Sequence, residues 1–458
     1  MVMKVRTVPA EPVLSQILAS RFLLDMQSIQ GGMMKGNAMN RLTVGALGAW
    51  VAIAMIADVR GQGIVLPGVG PVNRSMSGVA TATPLDAAGA MHWNPGTLSA
   101  LQSSEILFGV ELIDSQTSLS SSVGPFSGST DSNSGIKALP TVAMVWKPEN
   151  SDWTFGLGAL GIGGFGVDYA ASTTNPILFP QPNGAGPLYS RLSMLQIVPT
   201  ASYQLTDKLS VGFAPTATIA DLQLDPFFAA APSAEGYPSA VNGRNFWGLG
   251  FQVGAYLKTS SYWNFGFSYK SPQWFEEFRF NSTTGSPAVP QTLTVDTEFP
   301  AIYSLGTSYD GFEKWIYGFD MRYIDYASTG VFGDPTGYTP AGAATGLGWR
   351  SVFSFANAVQ YQWSERVSLR AGYMYNQNPI PSAATSANIQ SSALYTNSMS
   401  VGGTMNVTQA MLAHFAWVHS FELSSTGELL TPAGAVPNSS VTINQENNAL
   451  VAGVTVKF

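Results

Sequence analysis

The chain has 458 residues, a net charge of -7 and only 11% charged residues, against 12% aromatic ones. Such a chain has no concentrated basic face, which excludes a nucleic-acid partner, and its charge content is far below that of an ordinary soluble domain. It has no cysteine, so disulfides, thiol nucleophiles and cysteine-ligated zinc are excluded together.

The one long apolar run is "RLTVGALGAWVAIAMIADVRGQG", from Arg41. A basic residue, an uncharged stretch over Leu42–Ala57 and then small residues have the order of a secretory signal peptide. A spanning helix needs about 20 apolar residues. The expected signal covers 39–61, with cleavage near Ala57 or Gly61. Residues 1–38 are an awkward upstream extension. A start at Met33, Met34 or Met39 accounts for them; a genuine extension is the alternative.

Next comes a compact segment, 62–104, containing "PLDAAGAMHWNPGTLSAL" from Pro84. It is rich in Ala and Gly. Asn94 precedes Pro95, which biases its backbone away from helix, and its side chain can bond nearby backbone groups. By itself, Asn94-Pro95-Gly96 reads as an ordinary surface turn.

From residue 105 to 458 the chain reads as strands and loops. Fourteen segments are expected, at 105–119, 137–147, 152–170, 190–205, 208–224, 246–259, 261–281, 290–309, 312–328, 347–361, 365–376, 392–405, 408–424 and 440–458. Short connections such as "LTDK" and "NVTQ" alternate with long ones rich in Gly, Ser, Pro and Ala. That alternation marks an up-and-down barrel with its short turns at one end. Side chains alternate along a strand. In "WIYGFDMRY", Trp315, Tyr317, Phe319, Met321 and Tyr323 share one face; Gly318, Asp320 and Arg322 share the other. The charged face must be the lumen, because lipid surrounds the other. The predicted fold is an all-β, fourteen-stranded antiparallel transmembrane β-barrel. The last strand, "LVAGVTVKF", alternates in the same way and ends in Phe458, as the assembly signal of bacterial outer-membrane barrels does.

These features resemble the outer-membrane transporters of hydrophobic compounds, the long-chain fatty acid (FadL) and toluene (TodX) transporter family, over about 63–458. The resemblance rests on "SMSGVATA", Asp86 in "PLDAAGA", and Asn94-Pro95-Gly96, where the family more often has Ala third. It rests also on the order of "FWGLGFQVGAYLKTSSYWNFGFSYKS", "FPAIYSLGTSYDGFEKWIYGFDMRYIDYA" and "VSLRAGYMYNQNPIP". It implies that 62–104 is a hatch folded inside the barrel and closing it. A lumen of fourteen strands is too wide for wall side chains to fill.

The third strand, "TFGLGALGIGGFGVDY", breaks the alternation. Leu160 and Ile162 make the lumenal face apolar, and Gly163-Gly164-Phe165-Gly166 suggests a bulge or bend. Pro140, Pro199 and Pro215 remove ladder donors in the neighbouring strands, and the last two should lie close together. The resemblance implies an inward kink here and a lateral gap in the wall, with Leu160, Ile162 and Phe165 along a route into the outer leaflet. The simpler reading is that these glycines only admit the hatch.

Other signals are weaker. Gly156-x-Gly158-x-x-Gly161 matches a dinucleotide fingerprint as a string, but no helix follows it. His92, His414 and His419 lack metal-ligand spacing. His419 and Ser420 are adjacent on a strand and point to opposite faces. Asp320, Arg322, Arg350 and Arg370 are lumenal, either as wall-to-hatch ion pairs or as contacts for a fatty-acid carboxylate. Phe227 and Phe228, in a long loop, are either a ligand-capture surface or loop packing.

The expected function is passive uptake of fatty acids or hydrocarbons across the outer membrane, with no cofactor, metal or enzymatic activity. The partners expected are the hydrophobic ligand, outer-membrane lipid, lipopolysaccharide and the barrel assembly machinery, with the protein a monomer. The alternatives are an outer-membrane lipid hydrolase and a general porin for hydrophilic solutes.

Overall fold

Alternating side chains build long strands that bury one face and expose the other. In the computed structural model, which describes residues 63–284 and 288–458, fourteen such strands form one ring. The extension 1–38 and the signal segment 39–61 lie outside the described residues. The strands are β1 (Glu105–Val123), β2 (Lys137–Trp146), β3 (Trp153–Tyr169), β4 (Leu188–Gln204), β5 (Leu209–Asp225), β6 (Phe246–Lys258) and β7 (Trp263–Lys270). They continue as β8 (Ala301–Phe312), β9 (Trp315–Asp325), β10 (Val352–Ser364), β11 (Val367–Asn376), β12 (Asn397–Asn406), β13 (Met411–Gly427) and β14 (Ser440–Lys457). Each pairs antiparallel with its sequence neighbour. β1 closes the ring on β14, in register from Glu105–Lys457 to Ser122–Ser440.

The faces follow the sequence pattern. On β7, Phe265 and Phe267 are about half exposed, while Asn264, Ser268 and Lys270 are buried. On β9, Asp320 and Arg322 are fully buried. Outward aromatic rings gather at the short-turn end. Trp146 stacks on Phe155, and Trp315 packs on Tyr361 with centroids 4.4 Å apart. Such a girdle sits at the membrane–water interface.

The wall departs from expectation in two places. The segments 261–281 and 290–309 are shorter in the ring, as β7 and β8. Phe278–Thr284 and Val289–Val295 leave it and pair with each other as a separate hairpin. Pro272 and Pro300 interrupt the two strands, as a missing donor does, but the short pieces Gln273–Phe275 and Glu298–Phe299 still pair with each other, and the first of them with β6, before the hairpin leaves. The first long connection also carries structure, since β1 continues into a hairpin with Phe126–Asp131.

Residues 63–104 form helices α1 (Gly70–Ser75) and α2 (Ala87–Trp93) and a 3-10 turn at Pro95–Ala100. They lie against the inward face of the ring, touching strands around its circumference. What admits them is a belt of wall glycines. Gly212, Gly254 and Gly266 face residues 94–96 and Thr81; Gly306 and Gly318 face 79–83; Gly372 and Gly402 face 75–77. A Cβ at Gly266 would overlap the Thr81 carbonyl oxygen. Overpacking of this kind costs about 1–3 kcal/mol. Gly266→Ala should therefore leave the barrel assembled and heat-modifiable on gels, yet make residues 79–96 more susceptible to limited proteolysis. Unchanged proteolysis would show that the segment is not held against β7.

Candidate functional site

The N-terminal segment is fastened to the wall at a few polar points. Asp86 is the N-cap of α2, its Oδ1 accepting the Gly89 amide at 3.2 Å. This is the usual use of Asp at a helix start. Asn94 ends α2 with an extended backbone. Its Nδ2 donates to the Thr81 carbonyl at 2.7 Å and the Ala255 carbonyl at 2.9 Å, and its Oδ1 accepts the Gly96 amide at 2.9 Å. Asn94 thus ties two parts of the segment to β6. Pro95 starts the 3-10 turn. Gly96 lies close to β6, where a Cβ would stand 3.0 Å from the Gly254 oxygen.

The charges on β9 hold the backbone of the segment. Asp320 Oδ2 accepts the amides of Ala80 at 2.9 Å and Thr81 at 3.0 Å, and the Thr81 hydroxyl at 2.8 Å. It also pairs with Arg322 at 2.6 Å. Arg322 donates to the Gly78 carbonyl at 2.6 Å and lies 3.6 Å above the Trp93 ring, a cation–π contact out of water. Arg370 bonds wall residues, Gln360 at 2.7 Å and Thr404 at 2.8 Å. Arg350 lies in the connection after β9 and donates to the Asn378 carbonyl. A buried pair not anticipated from the sequence, Arg74 on α1 with Glu111 on β1 at 2.5 Å, fastens the opposite side. The signal for it was a carboxylate on the inward face of "EILFGVELI", a face shared by Glu105, which accepts the Ala87 amide instead.

The wall is weakest between β2 and β3. Their pairing runs from Trp146–Phe155 to Thr141–Leu160 and stops. Past Leu160, β3 pairs with β4 alone, with a bulge between Gly161 and Gly163. Pro140 stands at the break. On the other side of β4, the β4–β5 register lapses between Ile197–Ala217 and Ala201–Phe213, which sets Pro199 opposite Pro215. The bulge is answered from inside. The Leu66 amide donates to the Ile162 carbonyl at 3.1 Å, and the Gly164 amide to the Ile64 carbonyl at 3.3 Å. Residues 64–66 thus act as a short strand along the open edge.

Two cavities meet at this point. The larger, about 500 Å³, is built mainly from the long loops. The smaller, about 110 Å³, lies at the bulge and is lined by Lys137, Leu139, Gly163, Gly164, Phe165 and Gly166 among others. Ile64, Phe165 and Leu192 line both. Phe227 and Phe228 line the larger one, but Phe227 is fully buried, and packs 5.9 Å from Phe280. Leu160 and Ile162 line neither and belong to the buried core. Neither cavity reaches Asp320, Arg322 or Arg370. Phe458 faces outward, with its amide on the Ser104 carbonyl.

The histidines have local partners. His414 lies between Thr404 and Thr455, 2.8 Å from each hydroxyl. His419 bonds Asn448 at 3.0 Å, while Ser420 pairs with the Ser398 hydroxyl at 2.8 Å.

Burial pushes the Asp86 carboxyl up to about 7, and the nearby Glu105 adds to this, against the Gly89 bond and Arg370. A carboxyl raised in the folded state contributes stability that is full below its unfolded value and is lost as pH rises through the folded one. Protection of the α2 amides, corrected for intrinsic exchange, should fall by up to about tenfold per pH unit from roughly pH 4 to 7 and then level off. Asp86→Asn should flatten the profile. A pH dependence that survives in Asp86→Asn would assign it to another group.

The model of the family described as outer membrane protein transport protein (OMPP1/FadL/TodX) matches residues 50–458. No curated protein sequence matches the chain. The fold is similar to that of the toluene transporter TbuX of Ralstonia pickettii, with 20% identity and a TM-score of 0.65 over 86% of this chain and 99% of that one. It is similar to the toluene transporter TodX of P. putida, at 16% identity and a TM-score of 0.64 over 88% and 99% of the two chains. A FadL homologue of Pseudomonas aeruginosa gives 14% identity and a TM-score of 0.67 over 87% and 100%. A closed fourteen-stranded barrel with short turns at one end, matched by this family over nearly its whole described length, is an outer-membrane protein, and the chain belongs to the OMPP1/FadL/TodX family of outer membrane transport proteins.

Proposed function

We propose that the protein takes up hydrophobic small molecules passively, capturing them in the loop-built cavity and releasing them sideways through the gap beside β3. The observation that carries this reading is the coincidence of three features. The β2–β3 ladder stops at Leu160. The bulge follows immediately. Both cavities touch there, around Ile64, Phe165 and Leu192. Backbone that leaves its ladder at membrane depth is tolerated where it is buried in protein or lines a cavity. In this reading residues 63–104 are the hatch, which denies a straight path, and residues 64–66 are the element that must move aside. An apolar solute needs such a route because holding it in a water-filled pore is unfavourable.

The absence of native cysteine allows a reversible test. A Cβ at Gly161 would stand 3.1 Å from the Leu139 Cβ, close to the roughly 3.5–4.5 Å of a disulfide. Leu139→Cys with Gly161→Cys should staple β2 to β3 just past their last pair. Uptake of a labelled hydrophobic solute by cells should fall when the pair is oxidised and return on reduction. Equal uptake in both states would rule out the sideways route.

The same reading places the protein as a monomer among outer-membrane lipid and lipopolysaccharide, inserted by the barrel assembly machinery with Phe458 as its signal. Phe458→Ser should lower the amount of heat-modifiable barrel in outer-membrane fractions, while transport per assembled molecule stays unchanged. Normal abundance would remove Phe458 from that role.

A further inference from the structure

The larger cavity is unusual in how its polar groups are spent. Among the described residues, Glu298 is its only charged lining residue, and no Lys, Arg or His faces it. Seven phenylalanines line it. Most of the hydroxyls and amides on its wall already donate to protein acceptors; the exceptions are the exposed Asn183 amide and the Ser386 hydroxyl, which accepts the Leu430 amide. Tyr237 bonds the Gly342 carbonyl at 2.7 Å, Thr297 the Gly330 carbonyl at 3.0 Å and Thr345 the Pro335 carbonyl at 2.8 Å. Thr431 bonds the Gly434 carbonyl at 2.9 Å. The Gln390 amide bonds two carbonyls, those of Tyr189 at 3.1 Å and Pro226 at 2.9 Å.

An anionic head group brought into this space would lose water and find no cation, with only the Asn183 amide and the Ser386 hydroxyl as uncommitted neutral donors. Burying an unpaired charge is among the most costly steps a site can demand. Glu298, partly exposed, would add repulsion. An uncharged hydrocarbon meets none of these costs and gains contact with the aromatic wall. The first cation along the path is Lys137, in the smaller cavity, and its ammonium donates to the Ser134 carbonyl. Arg74, also in that cavity, is held by Glu111. Discrimination would therefore occur at capture, before any basic residue is reached.

We infer that the cavity selects uncharged hydrophobic molecules, aromatic or aliphatic, and rejects carboxylates such as fatty-acid anions, with Glu298 as a specificity-determining residue. This rests on the transport reading above and deepens it.

The test uses the full protein in lipid nanodiscs at about pH 8, where p-toluic acid is fully ionised. Flow dialysis would compare p-xylene with p-toluate, which differ by one methyl against one carboxylate. Methyl laurate and dodecanesulfonate would serve as the matching chains, and empty nanodiscs would supply the background. The uncharged member of each pair should bind saturably, at least about tenfold more tightly than its charged counterpart. Glu298→Arg, checked for heat-modifiability, should raise p-toluate binding, because it places a cation where a carboxylate now stands. Charged probes binding as tightly as neutral ones would overturn the inference while leaving the transport reading in place. Binding of none of the four would overturn both, because the cavity would then not be a ligand site.

Discussion

Everything in this protein depends on where backbone hydrogen bonds go when there is no water to receive them. A ring of strands in lipid can have no open edge, since each unpaired amide or carbonyl would be exposed to hydrocarbon. β1 and β14 meet that requirement along nearly their full lengths. The lapse between β2 and β3 is the departure that gives the molecule its character. Its open edge is supplied from within, by the Leu66 amide and the Ile64 carbonyl. The wall and the N-terminal segment are therefore parts of one hydrogen-bonding system.

The inner face shows two chemistries at different levels. Where the N-terminal segment meets β6 to β9, the contacts are polar and charged. Asp320, Arg322 and Asn94 engage backbone groups rather than one another's side chains alone. Where the loops close over the barrel, the surface is aromatic and aliphatic and its hydroxyls are turned into the protein. A buried ion pair such as Asp320–Arg322 adds little net stability, but losing either partner would leave a charge stranded. These residues therefore set position more than they set strength.

Much of this was legible in the amino-acid order. Alternation in "WIYGFDMRY" separates Asp320 and Arg322 from the aromatic face, and the structure buries both. The run of glycines after Leu160 marks the bulge, although the added residue lies between Gly161 and Gly163, just ahead of the Gly-Gly-Phe-Gly string. What remained hidden depends on contacts between distant parts of the chain. Nothing near Arg74 announces Glu111. Nothing near Ile64 announces that it will pair with a strand about a hundred residues later. Part of the hairpin of Phe278–Thr284 and Val289–Val295, up to residue 281 and from residue 290, reads as continuous with the wall because its own alternation is good, and Pro272 and Pro300 interrupt the strands without ending their pairing. Phe227 looked like an exposed loop aromatic because burial by other loops cannot be read from one loop alone.

The belt of glycines has a meaning that its scattered positions conceal. Gly212 faces Gly254 in register, Gly266 faces Gly306, and Gly109 faces Gly453. Unrolled, the wall carries a track of low relief at the level where the N-terminal segment runs, with few large side chains for that segment to mesh with. Two toothed surfaces separate only by deforming, and densely packed side chains resist that. A seat of low relief held by separate fasteners is a different machine: its parts can slide or lift as soon as the fasteners release, and the cylinder around them keeps its shape.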